Sequence, residues 1–269
     1  MSLRINTNVE AFNSHRQLVG TSDALAKSME RLSSGYRINR AADDAAGLAI
    51  TEKLRGQITG LEQAQRNGQD AISLVQTAEG SLTEVHAMLQ RVRELAVQYK
   101  NGSLSSSDRL AIQSEVNMLA SEIERIGSTA QFNGIQLLNV SQTISFQVGA
   151  QDGEIITVST ISLGNSVPAA VYSLTATGAA DISEIDTAID AISAQRAQFG
   201  AVQNRLEYTL QNLAIYEENL TSSESRIRDV DMASEMVNFT KLQILQQSGT
   251  AMVAQANQLP QSVLQLLKG

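Results

Sequence analysis

The side chains that most often carry chemistry are few in this sequence and poorly spaced for it. It has two histidines, His15 and His86, and no cysteine. Without Cys there is no disulfide, no thiolate nucleophile and no Cys-based metal site. A metal site needs three or four converging ligands, and the two His belong to different predicted helices with no paired ligand nearby. Asp43 and Asp44 form a vicinal acid pair. Neighbours on a helix point in different directions, so they make a poor acid–base dyad. A solvated place, or one in the field of a helix N-terminus, suits them better. Serine is abundant, yet no G-x-S-x-G elbow occurs, and neither the Walker A nor the dinucleotide glycine pattern is present. The reading is a non-enzyme without a catalytic, metal or cofactor site.

Composition narrows the alternatives. Over 269 residues, 42% are hydrophobic, but there are only two Pro, five Phe, five Tyr and no Trp. Aromatic residues carry much of the core energy of compact domains. A chain this poor in them predicts long helices packed by Leu, Ile, Val and Ala. The formal charge is -8, and no basic stripe offers a nucleic-acid surface. No apolar run approaches the ~20 residues that span a bilayer, and Met1 to Asn8 lacks the apolar core of a secretory signal.

The elements follow from periodicity. Leu18, Leu25 and Leu32 recur every seven residues, with Met29 between them at coiled-coil spacing. Asn6, Thr7 and Asn8 offer N-caps, and Ser33-Ser34-Gly35 interrupts the pattern. From Ile58 to Tyr99 small and apolar residues hold three–four spacing until Asn101-Gly102-Ser103 ends the run. After Ser105-Ser106-Ser107-Asp108 a second stripe (Ile112, Val116, Leu119, Ile123, Ile126) predicts a helix returning antiparallel to the first. Thr143 to Val148 alternates, Gln151-Asp152-Gly153 signals a turn and Ile155 to Val158 follows, which predicts a β-hairpin. Short strands and loops are expected after it. Ile185, Ile189, Ile192, Phe199, Leu206, Leu210, Leu213, Leu220 and Ile227 mark another very long helix. In the last stretch Leu242/Leu245, Gly249/Met252, Ala256/Leu259 and Val263/Leu266 are successive a/d pairs. Helices, a small β-rich part and helices again bring the two chain ends side by side.

One segment is unusual. From Met236 to Gly269 there is no Asp or Glu, and only Lys241 and Lys268 are charged. Its polar positions are mostly Gln, including Gln255, Gln258 and Gln265. A solvent-facing helix normally carries charge. Docking on the chain's own domain and burial by neighbouring copies both account for this. Two striped ends with little else to pack on favour neighbouring copies.

The run from Met29 to Ile50, MERLSSGYRINRAADDAAGLAI, closely resembles the N-terminal signature of bacterial flagellins. Ala254 to Leu267, AQANQLPQSVLQLL, resembles their C-terminal signature. Gln90 to Gln98 and Gln131-Phe132-Asn133-Gly134 look like flagellin motifs between the two. The resemblance covers nearly the whole chain and is thinnest over 140–180.

It implies a mainly α fold of long antiparallel helices. A terminal coiled-coil domain (1–45 and 226–269), disordered in the monomer, would join a rod-shaped domain (46–225). That rod would hold helices at about 46–100, 105–128 and 181–225 and β-hairpins at about 140–178. Variable outer domains would be absent. The implied function is a structural subunit that polymerises into the flagellar filament, outside the cell. Export would run through the flagellar type III apparatus, with an export chaperone and a filament cap as further partners. Polymerisation would use Leu18, Leu25, Met29, Leu32, Leu242, Leu245, Met252, Leu259, Val263 and Leu266. Gln255, Gln258 and Gln265 are candidates to face the lumen. Arg91, Leu95 and Glu115 match the surface that binds Toll-like receptor 5, and they equally suit contacts between subunits. The C-terminal Leu264, Leu266 and Leu267 resemble the part seen by cytosolic immune receptors. The alternatives are a hook–filament junction protein, a periplasmic endoflagellar subunit and a helical adhesin.

Overall fold

A computed structural model describes the backbone of residues 7–174 and 181–268. The side chains of 169, 170, 181 and 259–268 fall outside the described set. Among the described residues six helices and four short strands follow in the order α1 (Val9–Ser34), α2 (Ala45–Tyr99), α3 (Ser106–Thr129), β1 (Gln131–Phe132), β2 (Ile135–Gln136), β3 (Thr143–Gln147), β4 (Ile155–Ser159), α4 (Leu163–Ser166), α5 (Asp181–Arg228) and α6 (Met232–Lys268), with a 3-10 turn at Ala169–Tyr172. The fold is mainly α, as periodicity predicts. At 55 residues, α2 is about 80 Å long. Among the described residues no helix is long and apolar enough to cross a membrane.

The chain groups into two compact units: a terminal unit of Met1–Gly56 with Asn219–Gly269, and a central unit of Gln57–Glu218. The divisions fall inside α2 and α5.

Local chemistry sets the helix ends. Asn8 caps α1, its Oδ1 accepting from the Ala11 amide at 3.1 Å, and Gly35 closes it in the left-handed conformation at φ 75°. Asp44, just before α2, accepts from the Gly47 amide at 2.9 Å. Ser105 and Asp108 form a capping box that satisfies two otherwise orphaned amides at the start of α3. Asp231 accepts from the Ala233 and Ser234 amides at the start of α6.

The core of the central unit is a heptad stripe on α2. Ala71, Val75, Ala78, Leu82, Val85, Leu89, Val92 and Ala96 are all fully buried. Facing it are Ile112, Val116 and Ile123 of α3 and Ile185, Ala188, Ile192 and Phe199 of α5. Salt bridging of Arg91 with Glu115 and the stacking of Arg109 over Tyr99 set α2 and α3 antiparallel. Gln195 occupies a seam position of α5 at 5% exposure, and its side-chain amide donates to the Ser159 carbonyl at 2.8 Å. A buried amide is tolerable here because its hydrogen bond is made.

The predicted hairpin is β3 paired with β4, from Thr143↔Ser159 to Gln147↔Ile155. Ile156 and Val158 point inward and their neighbours outward, the alternation of a half-buried strand. Asn67 of α2 donates to the Gln147 carbonyl at 2.9 Å and holds the hairpin down.

Two features differ from expectation. A second hairpin, β1–β2, lies before residue 140. Its turn is Asn133-Gly134, with φ 48° and 80°, a left-handed pair that Asn-Gly provides at least cost. From Thr160 to Leu174 the expected strands are replaced by α4 and the 3-10 turn, and the part of that expectation beyond residue 174 lies outside the described residues. Leu163, Val167, Val171 and Leu174 are buried there, and spacing of four, four and three favours helical turns over alternating strand.

Candidate assembly surfaces

Within the terminal unit, α1 and α6 lie side by side and antiparallel. The Asn8 side chain donates to the Ala256 carbonyl at 2.7 Å near one end, and Ser28 Oγ donates to Glu235 Oε1 at 2.5 Å near the other. The residues turned inward follow a strict heptad. On α1 they are Ala11, Ser14, Leu18, Thr21, Leu25, Ser28 and Leu32; on α6 they are Glu235, Phe239, Leu242, Gln246, Gly249, Val253 and Ala256. Gly249 permits close approach, since a Cβ there would stand 3.1 Å from Leu18 Cδ1. Leucine layers alternate with Ser, Thr and Gln layers, and the one fully buried residue of α1 is Ser28. This seam sets register more than it supplies stability. Glu235, 8% exposed, takes the Ser28 hydroxyl and stands 3.8 Å from Arg31. A polar group at a coiled-coil seam specifies alignment at a cost in stability.

The predicted stripe residues divide between two faces. Leu18, Leu25, Leu32 and Leu242 line the seam, half-buried. Met29, Leu245 and Met252 do not; they are 54%, 46% and 63% exposed. The seam of α6 therefore pairs Leu242 and Gly249 with Phe239, Gln246 and Val253 rather than with Leu245 and Met252. The excluded residues join a wider uncovered set. Val9, Phe12 and Val19 of α1 and Met236, Val237 and Ile244 of α6 are also exposed, Phe12 at 69% and Val237 at 71%. Gln255 and Gln258 are exposed as well. The side chains of Leu259, Val263, Leu264, Gln265, Leu266 and Leu267 lie outside the described residues.

The links at the far end of the seam form a polar joint. Tyr36 and Asp229 make an isolated antiparallel bridge. The Arg37 amide donates to the Arg228 carbonyl at 2.6 Å and the Val230 amide to the Gly35 carbonyl at 3.0 Å. The Arg228 guanidinium stacks 4.8 Å over the Tyr36 ring and pairs with Glu52 at 2.9 Å. Asp43, of the vicinal acid pair, pairs with Lys27 at 2.5 Å and accepts from the Asn39 and Arg40 amides.

Those contacts hold the Asp43 carboxyl down at about 2, the Lys27 hydrogen bond foremost. The group is more acidic folded than unfolded. Its stabilising contribution is thus complete above the ordinary carboxylate range and fades as pH falls toward 2. Asp43→Asn should lower the unfolding midpoint of the assembled terminal helices at neutral pH, with the difference from the parent chain shrinking from about pH 4 downward. Circular dichroism melts across that range check this.

In the central unit the Arg91 side chain joins Glu94 at 3.1 Å and Glu115 at 2.9 Å on the surface. Both partners hold its guanidinium protonated more firmly, Glu115 first. Leu95 does not share that surface. It is 1% exposed and belongs to the core, because its place on α2 turns it toward the packed side. Of the three residues, only Arg91 and Glu115 present their side chains at this surface.

A long-helix subunit whose ends pair through a thin polar seam, with apolar stripes left uncovered, falls in the class of self-assembling structural proteins. Comparison with known proteins gives the particular one. The bacterial flagellin N-terminal helical region matches residues 5–143, and the bacterial flagellin C-terminal helical region matches residues 182–267. The chain is 52% identical to a flagellin of Halalkalibacterium halodurans over 98% of its own length and 99% of that protein. It is 48% identical to a Bacillus subtilis flagellin over 99% and 100%, and 46% identical to a Treponema phagedenis flagellar filament core protein over 98% and 99%. The crystal structure of Bacillus cereus flagellin superposes with a TM-score of 0.51 at 32% identity, covering 55% of this chain and 88% of that one. The chain belongs to the bacterial flagellin family and is a structural subunit of the flagellar filament, the helical propeller of swimming. The family is structural rather than enzymatic.

Proposed function

We propose that this subunit enters the filament through the apolar stripes of α1 and α6, and that the terminal unit becomes fully ordered only there. The observation that carries this reading is the mismatch in α1: its one buried residue is a serine, while Val9, Phe12, Val19 and Met29 stay in solvent. A seam of that kind buries too little apolar surface to offset the entropy of ordering two long helices. Neighbouring copies supply the missing area. Their contacts are heterologous and do not close, which makes an open helical array.

On this reading residues 1–45 and 226–269 form the filament core, and residues 46–225 form the outer rod. The subunit leaves the cell by a type III route that reads its N-terminal sequence, with an export chaperone and a filament cap as further partners. The uncharged Gln255, Gln258 and Gln265 line the channel, where neutral polar walls let chains of either charge pass. A filament map that buries these Gln away from the lumen overturns that part.

Limited proteolysis tests the coupling of order to assembly. In free subunits the protease should remove both ends rapidly and leave the central unit, whereas in filaments the ends should persist. Ends equally resistant in both states contradict the reading.

The Arg91–Glu115 surface is proposed as the contact for Toll-like receptor 5. The ion pair is solvent-exposed and contributes little to folding. Arg91→Ala should therefore leave the melting curve of the central unit nearly unchanged while weakening receptor binding about tenfold or more, the scale of a lost charge-assisted contact. Surface plasmon resonance with the receptor ectodomain measures it, and unchanged binding removes the assignment.

A further inference from the structure

Of the seven methionines in the chain, the structure describes six. Five of these are exposed: Met29, Met118, Met232, Met236 and Met252, at 47% to 71%. Only Met88 packs against the core. Four of the exposed five stand on α1 and α6. Three of those gather at one end of the seam. Ser28 is hydrogen-bonded to Glu235, and Met29, Met232 and Met236 lie one residue, three residues and one residue from that pair. Both helices thus present thioethers within one turn of the bond that aligns them.

A flexible, polarisable thioether suits a surface that another protein will cover, and it is also the side chain most easily made polar there. We propose that Met29, Met232, Met236 and Met252 are an oxidative modification site that gates assembly: conversion to methionine sulfoxide by a hydroperoxide stops a free subunit from joining a filament, and joining the filament shields the same sulfurs. The inference rests on the reading that neighbouring copies cover these stripes.

The step balances without help from the protein. A sulfur lone pair attacks one peroxide oxygen and the O–O bond breaks as the S–O bond forms. The second oxygen takes up a proton and leaves as water when hydrogen peroxide is the oxidant. Sulfur loses two electrons and the peroxide gains them. The product is a strong acceptor on a formerly apolar side chain, and it must be buried without a donor if the subunit is to dock.

The experiment treats full-length free subunits with hydrogen peroxide, maps sulfoxides by peptide mass spectrometry and measures seeded elongation. Met118, on α3, reports that oxidation took place. The critical concentration should rise about tenfold or more, the scale of burying an unpaired polar group. Methionine sulfoxide reductases of both stereospecificities should restore growth. The combined variant M29L, M232L, M236L and M252L should elongate equally with and without peroxide. A second measurement oxidises finished filaments, in which the four sulfurs should resist while Met118 remains the reference.

Normal growth of fully oxidised subunits, or loss unrepaired by the reductases, overturns the inference. Equal loss in the four-leucine variant overturns it too. If the four sulfurs oxidise as fast in filaments as in free subunits, the underlying assembly reading fails instead. Should the variant itself fail to elongate, the reductase rescue decides alone.

Discussion

Val237→Asp combined with Ile244→Asp should abolish filament growth while leaving the central unit folded. These side chains are 71% and 58% exposed. They lie one heptad apart, away from the Phe239, Leu242 and Gln246 seam. Neither supports the pairing of α1 with α6, so their loss cannot act through it. Covering a Val or Ile side chain contributes about 1.5–3 kcal/mol, and a carboxylate in its place must be desolvated without a partner. Two such losses per subunit exceed about 4 kcal/mol, which raises the critical concentration at least about a thousandfold. Seeded elongation followed by light scattering reads the effect, and circular dichroism checks the helices. The double variant growing filaments at normal concentration would remove α6 from the interface.

The second large effect lies in the other unit. Phe199 of α5 is 1% exposed in the core with Leu82, Val85 and Leu89. Phe199→Ala deletes a buried ring and leaves a cavity, at a cost of about 3–5 kcal/mol. In a unit of this size that lowers the melting temperature by about 10 °C. Leu18→Ala, at the half-buried seam of the terminal unit, should shift the same melt far less, because the seam contributes little to it. A calorimetric melt of each variant shows where stability resides. Equal shifts would mean that the terminal unit is as firmly folded in the free subunit as the central one, contrary to the proposal that assembly completes it.

The long helices were legible because their signal is long. Over eight successive layers α2 keeps four–three spacing, and no Pro or competing period interrupts it. Ser105 with Asp108 marked the start of α3 for a local reason, since the capping box needs only those two residues. The β1–β2 hairpin was missed although Asn133-Gly134 is a strong turn signal; strands of two residues leave no alternation to accompany it. Around Leu163, Val167, Val171 and Leu174 the abundance of Ser, Thr, Gly and Ala dilutes the helical spacing, so the sequence suggests strands and loops there.

The assembly surfaces were legible only in part. Heptad spacing marks Leu18, Leu25 and Leu32 on one helix and Leu242 on the other, and all four face the seam. Periodicity cannot tell which of two stripes on a helix meets its partner in the same chain, so Leu245 and Met252 were grouped with Leu242. The seam takes Leu242 and Gly249 from the predicted a/d pairs and fills the alternate positions with Phe239, Gln246 and Val253, of which hydropathy ranks Gln246 low. Leu95 shows the converse limit. Arg91, one turn before it, is exposed, but Leu95 lies on the flank of the stripe that carries Val92 and Ala96 and is buried with them. Glu235 gave no sign in the sequence, since its role arises only when Ser28 arrives from more than two hundred residues away.

Our proposal has this chain polymerise through its own two ends. Electron cryo-microscopy of filaments grown from the purified full-length protein tests it most directly, by the solvent exposure of Phe12, Val237, Ile244 and Met252. Those side chains, between 58% and 71% exposed in the single chain, should be buried against α1 and α6 of neighbouring copies. Filaments in which they remain in solvent, held together through the central units alone, would contradict the account.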